Sequence, residues 1–256
     1  IGLLYFENTN TTHAFTPSRT RVLQLLSSQI AVSIENARLY DVQEKLRAAS
    51  ARFVPTEFLE SLGRDSIRDV ILGDAVRTTM TVLFADIRGF TSIAERSTAE
   101  DVFKLLNRYL AGVVPVIRNN HGFIDKFIGD AVMGLFPREP ADAVRAAIDI
   151  AHAVKAVNTE LEGEGMPPLA VGIGIHTGDI VLGTVGSDRR MDTTAIGDTV
   201  NVAARLEALT KERGIGILIS DDVRRNVTLD NIYFIDEGEE HIRGRSQPIH
   251  IFDVRF

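Results

Sequence analysis

The chain has no cysteine among its 256 residues. This absence excludes disulfides, thiolate zinc sites and cysteine nucleophiles. The six histidines are scattered without the spacing of metal ligands, which argues against a zinc site. No apolar run approaches the length of a membrane span, and no signal peptide is visible.

Clustered positive charge is also missing. The formal net charge is −7 and no basic stripe stands out, so we expect no nucleic-acid partner. There is no Walker A loop, and Gly172-Ile173-Gly174 lacks the third glycine of the dinucleotide-binding fingerprint. What is present is typical of a globular protein, with 45% hydrophobic and 25% charged residues. The chain begins at Ile1 rather than Met, so we expect it to be a piece of a longer protein.

Two acidic residues stand where strand-like runs end. Asp86 follows the apolar run Thr81–Ala85, and Asp130 lies in the turn Gly129-Asp130 after a second run, about Phe123–Ile128. Taken singly, a strand-end Asp often caps the next helix, and an Asp is favoured in a tight turn. Neither residue by itself indicates a function.

A helical pattern between these two runs brings the carboxylates together. It covers about Thr98–Asn119, and a strand–helix–strand unit within one sheet leaves its two strands parallel. Asp86 and Asp130 are therefore expected at the same edge of the sheet, where two carboxylates predict a divalent-metal site for phosphate chemistry. The apolar positions of the helix are Val102, Leu105, Leu106, Tyr109, Leu110, Val113, Val116 and Ile117.

The order of the elements predicts an α+β fold with a ferredoxin-like βαββαβ core. After the hairpin that contains Asp130 comes a second long helix, about Pro140–Leu161. Leu169–His176 alternates as a strand, and Gly178-Asp179 is expected to turn it into a further strand, Ile180–Val185. The remaining predicted elements are a strand at about Met191–Ile196, a helix over Asp198–Lys211, and strands near Ile217, Tyr233–Ile235 and Ile249–Val254.

The N-terminal region precedes this core. Residues 1–6 predict a strand, and Thr16-Pro17 predicts the start of a helix, which Pro55 and Gly63 end. From Leu39 to Phe53 the apolar spacing is that of a coiled coil, for only two heptads. A dimeric stalk and an amphipathic helix lying on its own domain fit this spacing equally well. Earlier in the helix the positions with core-facing spacing are Val22, Leu25, Leu26, Ile30 and Ile34.

Four motifs carry a resemblance to a known family. They are FADIRGFT at 84–91, DKFIGD at 125–130, GIHTG at 174–178 and TAIGDTVNVAAR at 194–205. In this order, they make the region from about Leu72 to the C-terminus resemble a class III nucleotidyl cyclase catalytic domain, most like the bacterial adenylate cyclases. Phe15–Tyr40 resembles the closing helix of a GAF sensor domain. The expected division is a sensor remnant at 1–40, a helical linker at 41–76 and the catalytic domain at 77–256.

The resemblance implies a metal and phosphate site. It assigns the Asp86 and Asp130 carboxylates and the Ile87 carbonyl as ligands of two Mg²⁺ ions per site, with Mn²⁺ as the substitute. The helix start formed by Gly89, Phe90 and Thr91 would bind phosphate through its exposed N–H groups. An ordinary helix cap there is compatible with that role.

The resemblance also implies residues that read the base and act on the phosphate. Lys126 and Thr194 would contact the purine, with Lys typical of adenylate cyclases and Thr in place of a more common Asp. Asn201 would orient the ribose and Arg205 would stabilise charge on the α-phosphate, while Arg245 replaces a triphosphate-contacting Lys. If the strand at Phe123–Ile128 alternates, Lys126 shares a face with Ile124 and Ile128, which is unusual for a lysine at a core position. Without the resemblance, Lys126 is an exposed edge-strand lysine, and Asn201 and Arg205 are a polar stripe on a solvated helix.

The expected function is therefore adenylate cyclase activity, converting ATP to 3′,5′-cyclic AMP and pyrophosphate. The resemblance implies a head-to-tail homodimer with shared sites, regulated by an upstream sensor domain. ATP as the substrate indicates the cytoplasm. A guanylate cyclase is the nearest alternative, and a catalytically inactive regulatory or dimerisation module is another. A diguanylate cyclase is the third, but its hairpin normally carries two consecutive glycines before the acids, which Phe127-Ile128-Gly129-Asp130 lacks.

Overall fold

The structure is a computed structural model that describes residues 3–7, 9–10, 12, 15–50, 54–187, 190–242, 245 and 247–256. It divides into two compact units, Ile1–Val54 and Pro55–Phe256. The first unit contains helix α1 (Pro17–Ser50), which begins at the predicted boundary. No residue of α1 is buried. The positions predicted to face a core are exposed within this chain, namely Val22, Leu25, Leu26, Ile30 and Ile34.

One expectation for the N-terminal region is wrong. Residues 3–6, the described part of the predicted strand 1–6, lie in no helix or strand. A lone strand would leave its backbone groups unpaired, and the described residues of this unit form no second strand beside it. The predicted end of the long helix at Pro55 follows residues 51–53, which lie outside the described residues, and Pro55 also precedes the short helix α2 (Thr56–Ser61). Its fixed φ and missing N–H suit a helix start better than a helix interior.

Residues 55–74 attach to the C-terminal unit. Phe58 is buried. The Arg64 guanidinium donates two hydrogen bonds to the Asp74 carboxylate, at 3.1 and 2.8 Å. The Gly73 N–H donates to Thr184 Oγ1 at 3.0 Å. Part of the segment assigned to the linker at 41–76 thus packs with the unit that follows it, while the predicted boundaries at 40 and 76 stay predictions.

Among the described residues of the C-terminal unit, eight strands form one sheet. They are β1 (Ala75–Ile87), β2 (Phe123–Ile128), β3 (Ala131–Phe136), β4 (Val171–Ser187), β5 (Arg190–Ile196), β6 (Ile217–Ser220), β7 (Tyr233–Glu240) and β8 (Ile249–Arg255). Their order is β2-β3-β1-β4-β6-β8-β7, with β5 paired to β4. Because β3 lies antiparallel between β1 and β2, those two strands run parallel, as the sequence predicts.

Helices cover both faces of the sheet. They are α3 (Phe90–Arg96), α4 (Ala99–Asn119), α5 (Pro140–Gly163), α6 (Asp198–Arg213) and α7 (Asp221–Arg224). On α4 the predicted periodicity is confirmed, since Leu105, Tyr109, Val113 and Ile117 are buried. The chain therefore has the predicted α+β class, with further strands and a helix after the βαββαβ core.

Alternation along β6 shows which helices share a face. Ile217 and Ile219 pack in one core with residues of α4 and α5, whereas Leu218 packs in a second core with Val202 and Leu206 of α6. Successive residues of a strand point to opposite faces. Thus α4 and α5 lie on one face of the sheet and α6 on the other.

The predicted turn at Gly178-Asp179 is wrong, because β4 continues through it. Gly178 and Asp179 pair with Met80 and Thr79 of β1, which is much longer than the predicted Thr81–Ala85 and supplies partners along its whole length. A Cβ atom at position 178 would lie 2.8 Å from Thr199 Oγ1 of α6. This glycine therefore provides room for a helix and does not mark a turn.

Gly174 places the backbone of α6 directly against β4. A Cβ atom at this position would lie 2.1 Å from the Glu207 backbone N and 2.5 Å from the Ala203 carbonyl O. Real Cβ atoms do not approach backbone so closely, and backbone cannot swing away as a side chain can. Only glycine at 174 permits this packing.

We expect Gly174→Ala to lower the free energy of unfolding by at least about 2 kcal/mol, because α6 must move off the sheet. Gly163→Ala is the control, since a Cβ there meets nothing within 4 Å and Ala is the better helix residue. Urea unfolding of both variants beside the parent chain is the measurement. Equal stability of Gly174→Ala and the parent would contradict the packing.

Candidate active site

The carboxylates of Asp86 and Asp130 meet at one edge of the sheet, as predicted. Asp86 is the penultimate residue of β1, and Asp130 lies in the two-residue turn between β2 and β3. Gly129 takes the left-handed φ of 64° that this turn requires. The Ile87 N–H donates to Asp130 Oδ2 at 3.2 Å, which fastens the turn to the end of β1.

Charge and burial are concentrated at this edge. Burial, a hydrogen bond with Asp130 and the charge of Asp130 raise the pKa of Asp86 to about 7. Two neighbouring carboxyl groups that are half-buried do not readily both ionise unless a cation compensates their negative charge. The electrostatics of this site therefore strongly favour the binding of a cation.

Glu207 is a third acid near this pair, and sequence reasoning missed it. Burial is the main cause that raises its pKa to about 7, and the charge of Asp130 contributes. A Cβ atom on Gly172, the cross-strand partner of Asp86, would lie 3.1 Å from Glu207 Oε1. Glu207 comes from α6, so its approach depends on the close packing of that helix, which no local pattern indicates.

The chemistry of the donor set fits a hard divalent cation. Two carboxylates converge, and Ile87 directly follows one of them. In the part of the chain that the structure describes, no group of three or more His, Cys, Asp or Glu side chains is arranged to hold a metal ion. Mg²⁺ typically takes one or two protein carboxylates and completes its shell with water and substrate phosphates. The pair Asp86 and Asp130 therefore fits a Mg²⁺ site with only two protein carboxylates better than a site in which protein side chains supply every ligand.

The predicted phosphate-binding residues follow directly on β1. Gly89 adopts a left-handed φ of 71° as the N-cap of α3. Phe90 and Thr91 form the first turn of α3, and Gly89 and Thr91 are exposed. These three residues therefore follow Asp86 closely along the chain. Their contact with phosphate stays a prediction.

Lys126 and Thr194 are brought together, as the resemblance implies. Lys126 Nζ lies 3.6 Å from Asp125 Oδ2, and Thr194 Oγ1 donates to the same oxygen at 3.4 Å. The expected strict alternation of β2 is wrong, because the pairing with β3 shifts between Ile124 and Lys126. This bulge at Asp125 lets consecutive side chains serve one side of the strand.

Asn201 and Arg205 share a face of α6, as their spacing predicts. Among the described residues, neither side chain has a hydrogen-bond or ion-pair partner in the chain. Glu207, which approaches the acidic pair, is two residues beyond Arg205, and residues two apart on an α-helix project about 160° apart. Arg205 therefore points away from Asp86 and Asp130 of its own chain.

Arg245 lies near the start of α6. Its Nε is 3.4 Å from Asp198 Oδ2, at the first residue of that helix. It is therefore in the neighbourhood of Asn201, and its Arg243 and Gly244 neighbours lie outside the described residues. A contact with triphosphate stays a prediction.

Three further polar contacts, made by Arg88 and His176, were not predicted from the sequence. Arg88 Nη2 donates to the Thr210 carbonyl at 3.0 Å and also to the Ile215 carbonyl, at the C-terminal end of α6. The Nδ1 atom of His176 lies 2.7 Å from Ser220 Oγ. Burial lowers the pKa of His176 to about 4, so it stays neutral near pH 7.

Comparison with known proteins identifies the family. The model of the family described as "Adenylate and Guanylate cyclase catalytic domain" matches residues 75–253, which span strands β1 to β7, most of β8 and the candidate site. The chain belongs to this family. The predicted resemblance is thus confirmed at the level of the cyclase catalytic domain.

Relatives within the cyclase family include both nucleotide specificities. An adenylate cyclase of Anabaena cylindrica is 42% identical over 212 residues, covering 80% of this chain and 42% of the relative. The crystal structure of the adenylyl cyclase CyaB from P. aeruginosa has a TM-score of 0.65 at 34% identity, covering 71% of this chain and 96% of that one. The guanylyl cyclase Cya2 has a TM-score of 0.61 at 32% identity, covering 70% and 93%.

We expect Asp86→Asn to stabilise the metal-free cyclase domain increasingly as the pH rises from about 4 to about 8. The folded parent holds the Asp86 pKa near 7, above its ordinary value, so the stability from this group is present at low pH and lost as the pH rises through about 7. An asparagine does not ionise. Urea unfolding in the presence of EDTA across this pH range is the measurement.

The exposed residue Asp230 offers a matched control, Asp230→Asn, which should follow the parent at every pH. Added Mg²⁺ should stabilise the parent and the control but not Asp86→Asn. Superimposable pH profiles of Asp86→Asn and the parent would contradict the raised pKa of Asp86 and the preference of this site for a cation.

Proposed function

We propose that this chain is the catalytic region of an adenylate cyclase that converts ATP to 3′,5′-cyclic AMP and pyrophosphate. The observation that carries this proposal is the convergence of Asp86 and Asp130, which are distant in the chain but joined through the Ile87 N–H. The family, to which both adenylate and guanylate cyclases belong, restricts the chemistry to cyclisation of a nucleoside triphosphate.

The metal site of this proposal consists of Asp86, Asp130 and the Ile87 carbonyl. Two Mg²⁺ ions, or Mn²⁺ in their place, would lower the pKa of the ribose 3′-hydroxyl and neutralise the polyphosphate when bound. The two carboxylates would position this charge, and Gly89, Phe90 and Thr91 would offer backbone N–H groups to the phosphates. The raised pKa of Asp86 supports a site that is completed by cations.

The reaction is an in-line displacement. The 3′-oxygen attacks the α-phosphorus, loses its proton, and forms the new O–P bond as the bond to the pyrophosphate oxygen breaks. The protein forms no covalent bond with the substrate in such a transfer, so catalysis depends on positioning and on charge stabilisation. Asn201 would orient the ribose, Arg205 would stabilise negative charge on the α-phosphate, and Arg245 would contact the triphosphate.

We further propose that each site is shared between two copies of the chain in a head-to-tail homodimer. Arg205 and Asn201 project away from the side of α6 that carries Glu207 towards the acidic pair. One copy would then supply Asp86 and Asp130, and its partner would supply the groups that read the base and act on the phosphate. The unpaired side chains of Asn201 and Arg205 among the described residues support this arrangement.

A guanylate cyclase is the second candidate, because the guanylyl cyclase Cya2 is nearly as similar as the adenylyl cyclase CyaB. Lys126 favours ATP, since an ammonium donates to adenine N1 but cannot accept from the N1–H of guanine. An inactive regulatory module is the third candidate. The presence of both acids and of Asn201 and Arg205 argues against it.

Regulation and location belong to the proposal as well. The chain spans 42% of the Anabaena relative, so a sensor domain upstream of α1 and its GAF-like character remain part of what we propose. Among the described residues no helix combines the length and apolarity needed to cross a bilayer. ATP as the substrate indicates action in the cytoplasm.

We expect the purified chain to form cyclic AMP and pyrophosphate from ATP in the presence of Mg²⁺ or Mn²⁺, and to stop when EDTA removes the metal. The specific rate should rise with protein concentration, because a monomer has no complete site. Initial rates with ATP and GTP, measured across protein concentration, test chemistry and assembly together. Turnover of GTP alone would establish the guanylate cyclase, and no turnover of either by a dimeric chain would favour the inactive module.

We expect Asp86→Ala and Asn201→Ala to be inactive alone and active when mixed. Each mixed dimer would contain one intact site, so an equal mixture should recover about a quarter of the parent rate. Asp86→Ala mixed with Asp130→Ala serves as the control, because both acids of a site come from one chain and no mixed dimer of these two variants contains an intact site. A mixture that stays inactive although mass measurements show mixed dimers would refute shared sites.

A further inference from the structure

Thr194 poses a problem of recognition that the proposed function leaves open. A hydroxyl has one donor and two acceptor positions, so it can bind either an amino group or a carbonyl. Adenine carries an amino group at its 6-position and guanine carries a carbonyl oxygen there. An undirected threonine therefore accepts both purines, unlike the carboxylate that many relatives are expected to carry at this position.

Asp125 is placed to direct that hydroxyl. It lies at the bulge of β2, where the pairing with β3 shifts between Ile124 and Lys126. Its side chain is only 1% exposed although it is an acid on a strand at the sheet edge. Bulges next to a site commonly re-aim a side chain, and here the re-aimed group lies between β2 and Thr194 of β5.

One oxygen of Asp125 serves both predicted base-reading residues. Thr194 Oγ1 donates to Asp125 Oδ2 at 3.4 Å, and Lys126 Nζ lies 3.6 Å from the same atom. The Ala195 carbonyl is a second acceptor for the Thr194 hydroxyl, at 3.3 Å. With either acceptor the hydroxyl proton is engaged within the protein and only acceptor positions of Oγ1 are left, and the charged carboxylate is the stronger acceptor of the two.

The other oxygen of Asp125 shows that the residue is not simply a satisfied structural acid. Oδ1 is buried and has no hydrogen-bond partner among the described residues. Burying a carboxylate without full hydrogen bonding costs free energy, so a purely structural role would be served better by an apolar residue. The arrangement is better explained by what Asp125 does to its two neighbours.

We propose that Asp125 is the positioning residue that sets purine choice at this site, by taking the Thr194 hydroxyl proton and holding the Lys126 ammonium. The site then presents an acceptor to the 6-position and a donor to N1, which is the complement of adenine and not of guanine. Asp125 would supply from β2 the negative charge that Thr194 lacks on β5. This inference rests on the proposed function, because it takes Lys126 and Thr194 as the groups that read the base.

We expect Asp125→Asn to lower the ratio of kcat/KM for ATP to that for GTP about tenfold, the effect of about one charge-assisted hydrogen bond. The amide can turn its NH₂ group towards Thr194, which releases the hydroxyl proton for the guanine carbonyl. The matched control is Asp253→Asn, because the Asp253 side chain is similarly buried, at 2% exposed, and is bound by Arg255 Nε at 2.6 Å in β8. The control should keep the parent ratio.

A second readout separates positioning from general damage. The triphosphate of purine riboside has hydrogen in place of the 6-amino group, so it makes no contact with the Thr194 oxygen. Asp125→Asn should reduce kcat/KM for ATP more than for this analogue, and in a Thr194→Val background this difference between the two substrates should disappear. If Asp125→Asn folds poorly, Asp125→Ser takes its place, since Ser lacks the charge but remains small and polar.

The outcomes distinguish this inference from the proposed function. A parent chain that forms no cyclic AMP from ATP would overturn the proposed function itself. A parent that prefers ATP, together with a folded Asp125→Asn chain of unchanged ATP-to-GTP ratio, would overturn only the role of Asp125. Equal losses with ATP and with the purine riboside triphosphate would do the same.

Discussion

The C-terminal unit depends on bringing two like charges to one place. Asp86 lies at the end of β1 and Asp130 in the turn that follows β2, and β1 and β2 run parallel because β3 lies between them. The Ile87 N–H donates to Asp130 and holds this turn against the end of β1. The ionisation of both acids together is unfavourable in the chain alone, because burial and then the neighbouring Asp130 raise the pKa of Asp86. The hydrophobic packing of α4 and α5 on the sheet must maintain their proximity. A cation held by the ready-made pair would relieve the repulsion.

The second constraint is the contact of α6 with β4. Glycines at 172, 174 and 178 remove the side chains that would keep the helix away, and the helix then lies with its backbone on the strand. This contact directs Glu207 towards the acidic pair and leaves Asn201 and Arg205 on another side of the helix. The same packing thus keeps Asn201 and Arg205 apart from the acidic pair of their own chain, although the proposed reaction needs all of them in one site. For this reason we propose that a second copy of the chain completes each site.

Much of this architecture was predictable from local pattern. Period and capping residues indicate α4 and α5, and the strand–helix–strand rule correctly predicts that Asp86 and Asp130 share an edge. The errors arose where tertiary contacts override local signals. Gly178-Asp179 has the composition of a turn, yet the long β1 pairs straight through it. The alternation expected on β2 fails because a bulge at Asp125 adds a residue to one strand.

The amino-acid sequence by itself determined the family, the α+β class and the two acids at the strand ends, because these follow from motifs, periodicity and chain order. Only the tertiary structure decided that Glu207 approaches those acids, that Ser220 partners His176, and that Asp125 joins Lys126 to Thr194. Each of these contacts connects elements that are distant along the chain. Their geometry depends on a bulge or on helix-to-sheet packing at close range, and neither leaves a periodic signal in the residues involved.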